Sequence, residues 1–480
     1  MNRASALLVS GFKKIGPEFL PFADAATAEL PLGRLLRLSL FQVTVGMAAV
    51  LMIGTLNRVM IVELGVPSWI VALMLALPLL SAPLRTLIGF RSDHHRSVLG
   101  WRRVPYIWFG TMSQFGGFAI MPFALLLLSG DTTGPMWIGE VAAALAFLLV
   151  GAGLHTVQTV GLALATDLAP ERARPKVVAL LCAALLFGMA VSAVAFGLVL
   201  RHFSEVRLIQ VVQGSAVVTV VLNSIALWKQ EPRNMKPVAG QRRIGFFDAW
   251  NAFSHASRTK RRLIATALGT AGFSMQDILL EPYGGKILKL PVGATTALTA
   301  MLALGGGLGL MLAARKLNRG ADPHRVAGFG ALIGVVAFAF VMFAAPMESV
   351  DIFAIGVGLI GLGGGLFAHG TLTASMAAAR PEDRGLALGA WGAAQATAAG
   401  LAIALSGLVN DVGGALAVSG AFGETAADPV TGFTLVYGLE ILLLLATIIA
   451  IGPLSRRQVQ AVEPTLGGVS PIRLVSGGLP

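Results

Sequence analysis

The chain has 480 residues, 55% of them hydrophobic and only 12% charged, with a formal net charge of +12 at pH 7. That charged share is about half the soluble norm. With a mean hydropathy of +0.78 it excludes an ordinary soluble enzyme and reads as a polytopic membrane protein. A lone cysteine, Cys182, excludes an intramolecular disulfide.

Residues 1–38 mix polar and apolar side chains and read as a cytoplasmic arm with no cleavable signal peptide. Twelve candidate spans follow, at 39–64, 67–89, 105–128, 136–165, 176–200, 208–229, 263–288, 294–314, 325–346, 350–377, 384–409 and 430–452. Each has the ~20 residues that a ~30 Å hydrocarbon core requires. The first six form one bundle over 39–229, a cytoplasmic linker covers 230–262, the last six form a second bundle over 263–452, and 453–480 make a cytoplasmic tail. With both termini on one side, that side holds all but five of the 36 Lys and Arg residues, the exceptions being Arg58, Arg201, Arg207, Lys286 and Lys289. This is the positive-inside pattern, so both termini are expected in the cytoplasm. The basic balance is thereby explained by topology, without a nucleic-acid partner.

Within the linker, Phe246, Phe247, Trp250 and Phe253 recur at helical spacing ahead of Arg258, Lys260, Arg261 and Arg262. They predict an amphipathic helix on the membrane surface. Span seven carries Gly-Phe-Ser-Met-Gln-Asp-Ile-Leu-Leu-Glu-Pro-Tyr-Gly-Gly at 272–285. A carboxylate in hydrocarbon is costly, so Asp277 and Glu281 are functional candidates by default. Their spacing of four predicts one shared helical face. Pro282 predicts the end or a kink of that helix, and Tyr283 is expected at the water interface. Glu440, in span twelve, is a further buried acid for which the sequence offers no partner.

The halves echo each other at an interval of about 220 residues. Gly89-x-x-x-Asp93 corresponds to Gly309-x-x-x-Ala313, Asn57-Arg58 to Gln276-Asp277, and Pro170-Glu171 to Pro381-Glu382. Such repeats are expected of transporter folds built from two six-helix halves. Residues 89–103, Gly-Phe-Arg-Ser-Asp-His-His-Arg-Ser-Val-Leu-Gly-Trp-Arg-Arg, resemble the loop motif of the major facilitator superfamily. In that motif Gly89 would allow close helix approach and Asp93 would pair with an arginine or cap a helix; Arg102 and Arg103 complete it. Taken together, 91–108, Ala-Thr-Asp-Leu-Ala-Pro-Glu at 165–171, and 272–285 resemble the PucC/LhaA family, a branch of that superfamily. The long N-terminal arm resembles the LhaA branch, associated with the core (LH1) antenna.

The resemblance implies an all-α polytopic membrane protein of about twelve transmembrane helices in two pseudo-symmetric bundles, placed in the bacterial inner (intracytoplasmic) membrane. It implies light-harvesting complex assembly, with bacteriochlorophyll a or a precursor as cargo. The implied partners are antenna polypeptides, the reaction-centre core complex, pigment-synthesis and membrane-insertion machinery, and the lipid bilayer. It also implies that spans one, four, seven and ten line a central cavity. These carry Arg58, His155, Asp277 and His369. At ~1.5 Å per residue, Arg58, Gln276, Asp277 and Glu281 come to similar heights toward the periplasmic side. They predict an Arg58–Asp277 or Arg58–Glu281 pair, either a gate or a static bridge. His155 and His369 fall at matching depth in the cytoplasmic half and are candidate axial ligands to pigment magnesium. The alternative for each is a hydrogen bond to a neighbouring helix.

Other motifs carry no chemistry. Gly356-Val-Gly-Leu-Ile-Gly361 matches a dinucleotide fingerprint but lies inside a span, where it predicts close helix contact. Walker A, zinc-cluster and nucleophile-elbow patterns are absent from the sequence. Asp93, Asp167, Asp277 and Glu281 are too scattered to hold a diphosphate through magnesium, so no catalytic residue and no metal of the protein's own are expected. Three readings remain: a pigment-delivering assembly factor, a proton-coupled transporter of a small solute, and a pigment-free escort for antenna polypeptides.

Overall fold

The computed structural model describes residues 30–80, 101–130, 134–170, 173–231, 258–378, 384–421, 423, 428 and 430–455. Among them are twelve helices and no strand. In order these are α1 Leu32–Glu63, α2 Ser68–Leu80, α3 Val104–Leu128, α4 Met136–Leu168, α5 Arg174–Val199, α6 Glu205–Leu227, α7 Thr259–Lys286, α8 Val292–Asn318, α9 Pro323–Ala344, α10 Val350–Ala377, α11 Arg384–Val418 and α12 Val430–Ser455. All but α2 are long and apolar enough to cross a bilayer. The rest of the span predicted at 67–89 lies outside the described residues, as do Phe246, Phe247, Trp250 and Phe253 of the linker.

Several helices outrun the apolar windows that predicted them. α1 starts at Leu32 behind Pro31, and α11 continues to Val418. A helix satisfies its own backbone wherever it runs, so it need not stop where hydropathy falls. α7 likewise begins at Thr259, so Lys260, Arg261 and Arg262 form its first turn rather than part of a separate linker helix. There Arg261 Nε donates to Ala450 O of α12 at 2.9 Å.

The helix contacts repeat. α1 packs on α5 and α6, α3 on α4 and α6, and α2 on α4; in the second half α7 packs on α11 and α12, α9 on α10 and α12, and α8 on α10. The halves join along α2–α11 and α5–α8, two seams that the repeat exchanges. α1 begins and α12 ends at one face, here termed the terminal face, and the opposite end is the far face.

Small residues set the α8–α10 contact, as the Gly356–Gly361 stretch predicted. A Cβ on Gly361 would overlap Leu302 O and lie 2.9 Å from Gly306 N, both backbone atoms of α8. Gly361→Val therefore forces α8 and α10 apart, and overpacking of this kind costs about 1–3 kcal/mol. Gly358→Ala is the control, because its Cβ meets nothing within 4 Å. Thermal unfolding in detergent is expected to fall for the first variant and stay unchanged for the second.

Candidate functional site

Proline lacks an N–H, and its ring clashes with the carbonyl four residues back. α7 yields upstream of Pro282. Its regular helix ends at Ser274, Met275–Ile278 wind as a 3-10 turn, and α-helix resumes at Leu280. Pro282 thus falls in the first turn of the new segment, where no intrahelical donor is required. The break frees the Gln276 N–H, which donates to Glu440 Oε1 of α12 at 2.6 Å. Glu440 is fully buried, and it completes the interrupted backbone of its neighbour.

The same rewinding corrects two expectations. Asp277 and Glu281 do not share one α-helical face. Asp277 Oδ1 accepts from Gln276 Nε2, while Glu281 Oε1 accepts from Thr299 Oγ1 of α8. Glu281 Oε2 is buried without a hydrogen-bond partner. Gly54 makes room for this carboxylate, since a Cβ there would sit 2.6 Å from Oε1. Nor does Tyr283 reach the water interface. It is buried, edge-on to Phe433 and Tyr437, with its hydroxyl donating to Val341 O at 3.1 Å.

α1 is loosely wound where α7 is tight. Val50–Leu56 and Val59–Glu63 are π-helical. The wider i→i+5 turn sets Arg58 over Glu63, with Nη1 2.5 Å from Oε1, and Arg58 Nη2 donates to Leu290 O at 3.0 Å. The expected Arg58–Asp277 or Arg58–Glu281 ion pair is therefore not formed; the partner lies five residues onward in the same helix. The two halves still meet at this level. Asn57 Nδ2 donates to Asp277 O at 3.2 Å, and the Thr55 and Thr296 hydroxyls lie 3.4 Å apart. The repeat counterparts Asn57-Arg58 and Gln276-Asp277 thus come together across the pseudo-two-fold axis, joining α1 to α7 toward the far face.

Gly89 and Asp93 lie outside the described residues. Arg102 and Arg103, from the same motif, both reach Asp167 Oδ2 at the end of α4, Arg103 Nε at 2.8 Å. The Glu231 carboxylate, just past α6, accepts the N–H groups of Arg102, Arg103 and Val104 at 2.9–3.0 Å and caps α3. Arg34 of α1 adds bonds to Gln230, from Nε to Oε1 at 3.0 Å and from Nη2 to the backbone O at 2.6 Å. This bracket ties α1, α3, α4 and α6 together at the terminal face. Asp167 stood in the motif at 165–171, whereas nothing in the sequence pointed to Glu231. In the second half, Ala313 takes the acidic position and is fully buried beside Val326 and Leu366, so that position contributes contact and no charge.

His155 and His369 are both half-buried. Each lies 19 residues past the first residue of its helix, Met136 of α4 and Val350 of α10, the two related by the repeat. His369 follows Gly363-Gly364-Gly365, where the helix carries little side-chain bulk.

Twelve helices in two like bundles, joined along two exchanged seams and irregular at the paired first and seventh spans, define a polytopic membrane protein with a major-facilitator-like fold. A solved bacterial homolog to the human lysosomal transporter Spinster, in an inward-facing and unoccupied conformation, matches with a TM-score of 0.66 over 90% of this chain and 98% of that one. At 14% identity that likeness shows the fold.

The chain belongs to the PucC family: the profile of the PUCC protein family matches residues 55–459. It is 56% identical over 418 residues to Protein PucC of Rhodovulum sulfidophilum, covering 86% of this chain and 92% of that protein. It is 52% identical to Protein PucC of Cereibacter sphaeroides, covering 96% of this chain and 99% of that protein. A more distant relative, at 29% identity over 91% of this chain and 98% of that one, is the Bacteriochlorophyll synthase 44.5 kDa chain of Rhodobacter capsulatus. The chain is thus a multi-pass membrane protein of a family linked to photosynthetic pigment systems.

Proposed function

We propose that this protein is a non-enzymatic assembly factor that binds bacteriochlorophyll a or a precursor and delivers it to light-harvesting antenna polypeptides, those of the core antenna in particular. It acts in the bacterial inner membrane with both termini cytoplasmic, so that the terminal face is cytoplasmic and the α1–α7 contact lies toward the periplasm. The observation that carries this reading is the pair of half-buried histidines at equal depth on the symmetry-related α4 and α10. A neutral imidazole suits the axial position of a ring-bound magnesium.

The test is purification in mild detergent from a bacteriochlorophyll-making host, followed by absorption and pigment extraction. Wild-type protein is expected to carry stoichiometric pigment, and His155→Ala with His369→Ala to lose most of it with folding intact. Pigment-free, well-folded wild-type protein would remove stable carriage and favour an escort for antenna polypeptides. One observation supports a second reading, proton-coupled transport of a small solute. Glu281 Oε2 and Glu440 Oε2 are buried in the spans without hydrogen-bond partners, and groups of this kind mark proton relays. Solute uptake that collapses with the proton gradient would favour it.

A further inference from the structure

At the terminal face the first bundle opens into a cleft of about 1040 Å³, at the upper end of the range that holds cofactor-sized ligands. Its walls come from the starts of α1 and α3 and the ends of α4 and α6. Trp101, Trp108 and Trp228 line it, three of only seven tryptophans in the chain. Trp108 and Trp228 are 42% and 65% exposed, so they face outward and not into the helical core. Helix ends are the depth at which indole rings settle, half in headgroups and half in hydrocarbon.

Among the described residues, the charges of the cleft and of the side chains that support it are unbalanced. Asp167 is held by Arg102 and Arg103, and Glu231 by three backbone N–H groups. Arg34 spends its bonds on the neutral amide and carbonyl of Gln230. Lys229 is exposed and forms no ion pair among the described residues. The lining holds two cations, Arg34 and Lys229, and two carboxylates, Asp167 and Glu231; with Arg102 and Arg103, which hold Asp167 from outside the lining, the described residues of the cleft and its supports number four cations against two carboxylates beside an indole-lined wall at the membrane surface.

We propose that this cleft binds an anionic phospholipid, with its phosphate between Arg34 and Lys229 and its acyl chains along Trp108 and Trp228. The lipid would sit on the bracket that joins the four helices to the first residues of the linker, Gln230 and Glu231. The charge excess selects it over a zwitterionic lipid, whose head carries no net charge.

The test uses the full chain in mild detergent, with phosphatidylglycerol and phosphatidylcholine added in competition and retained lipid read by native mass spectrometry. Wild type is expected to keep phosphatidylglycerol in preference. Lys229→Glu, at an exposed position, is expected to weaken phosphatidylglycerol binding about thirtyfold, since the reversal changes the charge by two units and each unit near an anionic headgroup contributes roughly 1 kcal/mol. Trp228→Ala is expected to weaken both lipids alike. Equal retention of the two lipids by wild type, or unchanged selectivity in a folded Lys229→Glu protein, would overturn the proposal. So would displacement of bound phosphatidylglycerol by a carboxylated chlorophyllide at equal concentration, which would give the cleft to pigment.

Discussion

Removing the Glu63 carboxylate by Glu63→Leu is expected to cost about 3 kcal/mol of stability, because it leaves the Arg58 guanidinium buried without its counter-ion. The figure is at the low end for a buried pair, since the Glu63 side chain is 35% exposed against 4% for Arg58. Replacing both partners by leucine is expected to recover most of the loss, as apolar substitutes of similar volume commonly do. A double-mutant cycle of thermal unfolding in detergent gives the coupling, and Arg58 is expected to couple more strongly to Glu63 than to Asp277. The reverse order would show that the ion pair across the two bundles dominates in the membrane.

Glu440→Leu is expected to lose roughly 2–3 kcal/mol, because the N–H freed at Gln276 by the break in α7 would have no acceptor in a water-free interior. Glu440→Gln keeps an acceptor oxygen at the same place and is expected to be nearly silent. Hydrogen exchange at residues 275–279 reports the same event locally, with faster exchange in the leucine variant alone. A glutamine variant as damaged as the leucine one would mean that the carboxyl group matters for its proton, which would favour the transport reading.

Much of this was legible because hydropathy, positive charge and repeat spacing each report one coarse property of a span. They gave twelve helices, two halves and the glycine contacts of α10. Hydropathy is blind, however, to the difference between i→i+3, i→i+4 and i→i+5 winding, and the site depends on it. Arg58 meets Glu63 where α1 is π-helical, and Tyr283 is buried just past the break in α7. One link was available and unread. Pro282 announces an interrupted helix, an interrupted helix exposes an N–H, and a buried N–H requires an acceptor. Glu440, the acid without a partner, answers that requirement.

The winding of α7 also fixes how far it would turn if it were straightened. A 3-10 turn advances about 120° and 2.0 Å per residue, against about 100° and 1.5 Å for an α-helix. If Met275–Ile278 rewound to α, everything beyond would swing by about 80° and retract by about 2 Å. Glu281 would leave Thr299, and Asp277 would lose its seat beside Asn57. Four residues could thus reorient the seam between the bundles while both bundles stay folded, with Glu440 the contact that would have to let go.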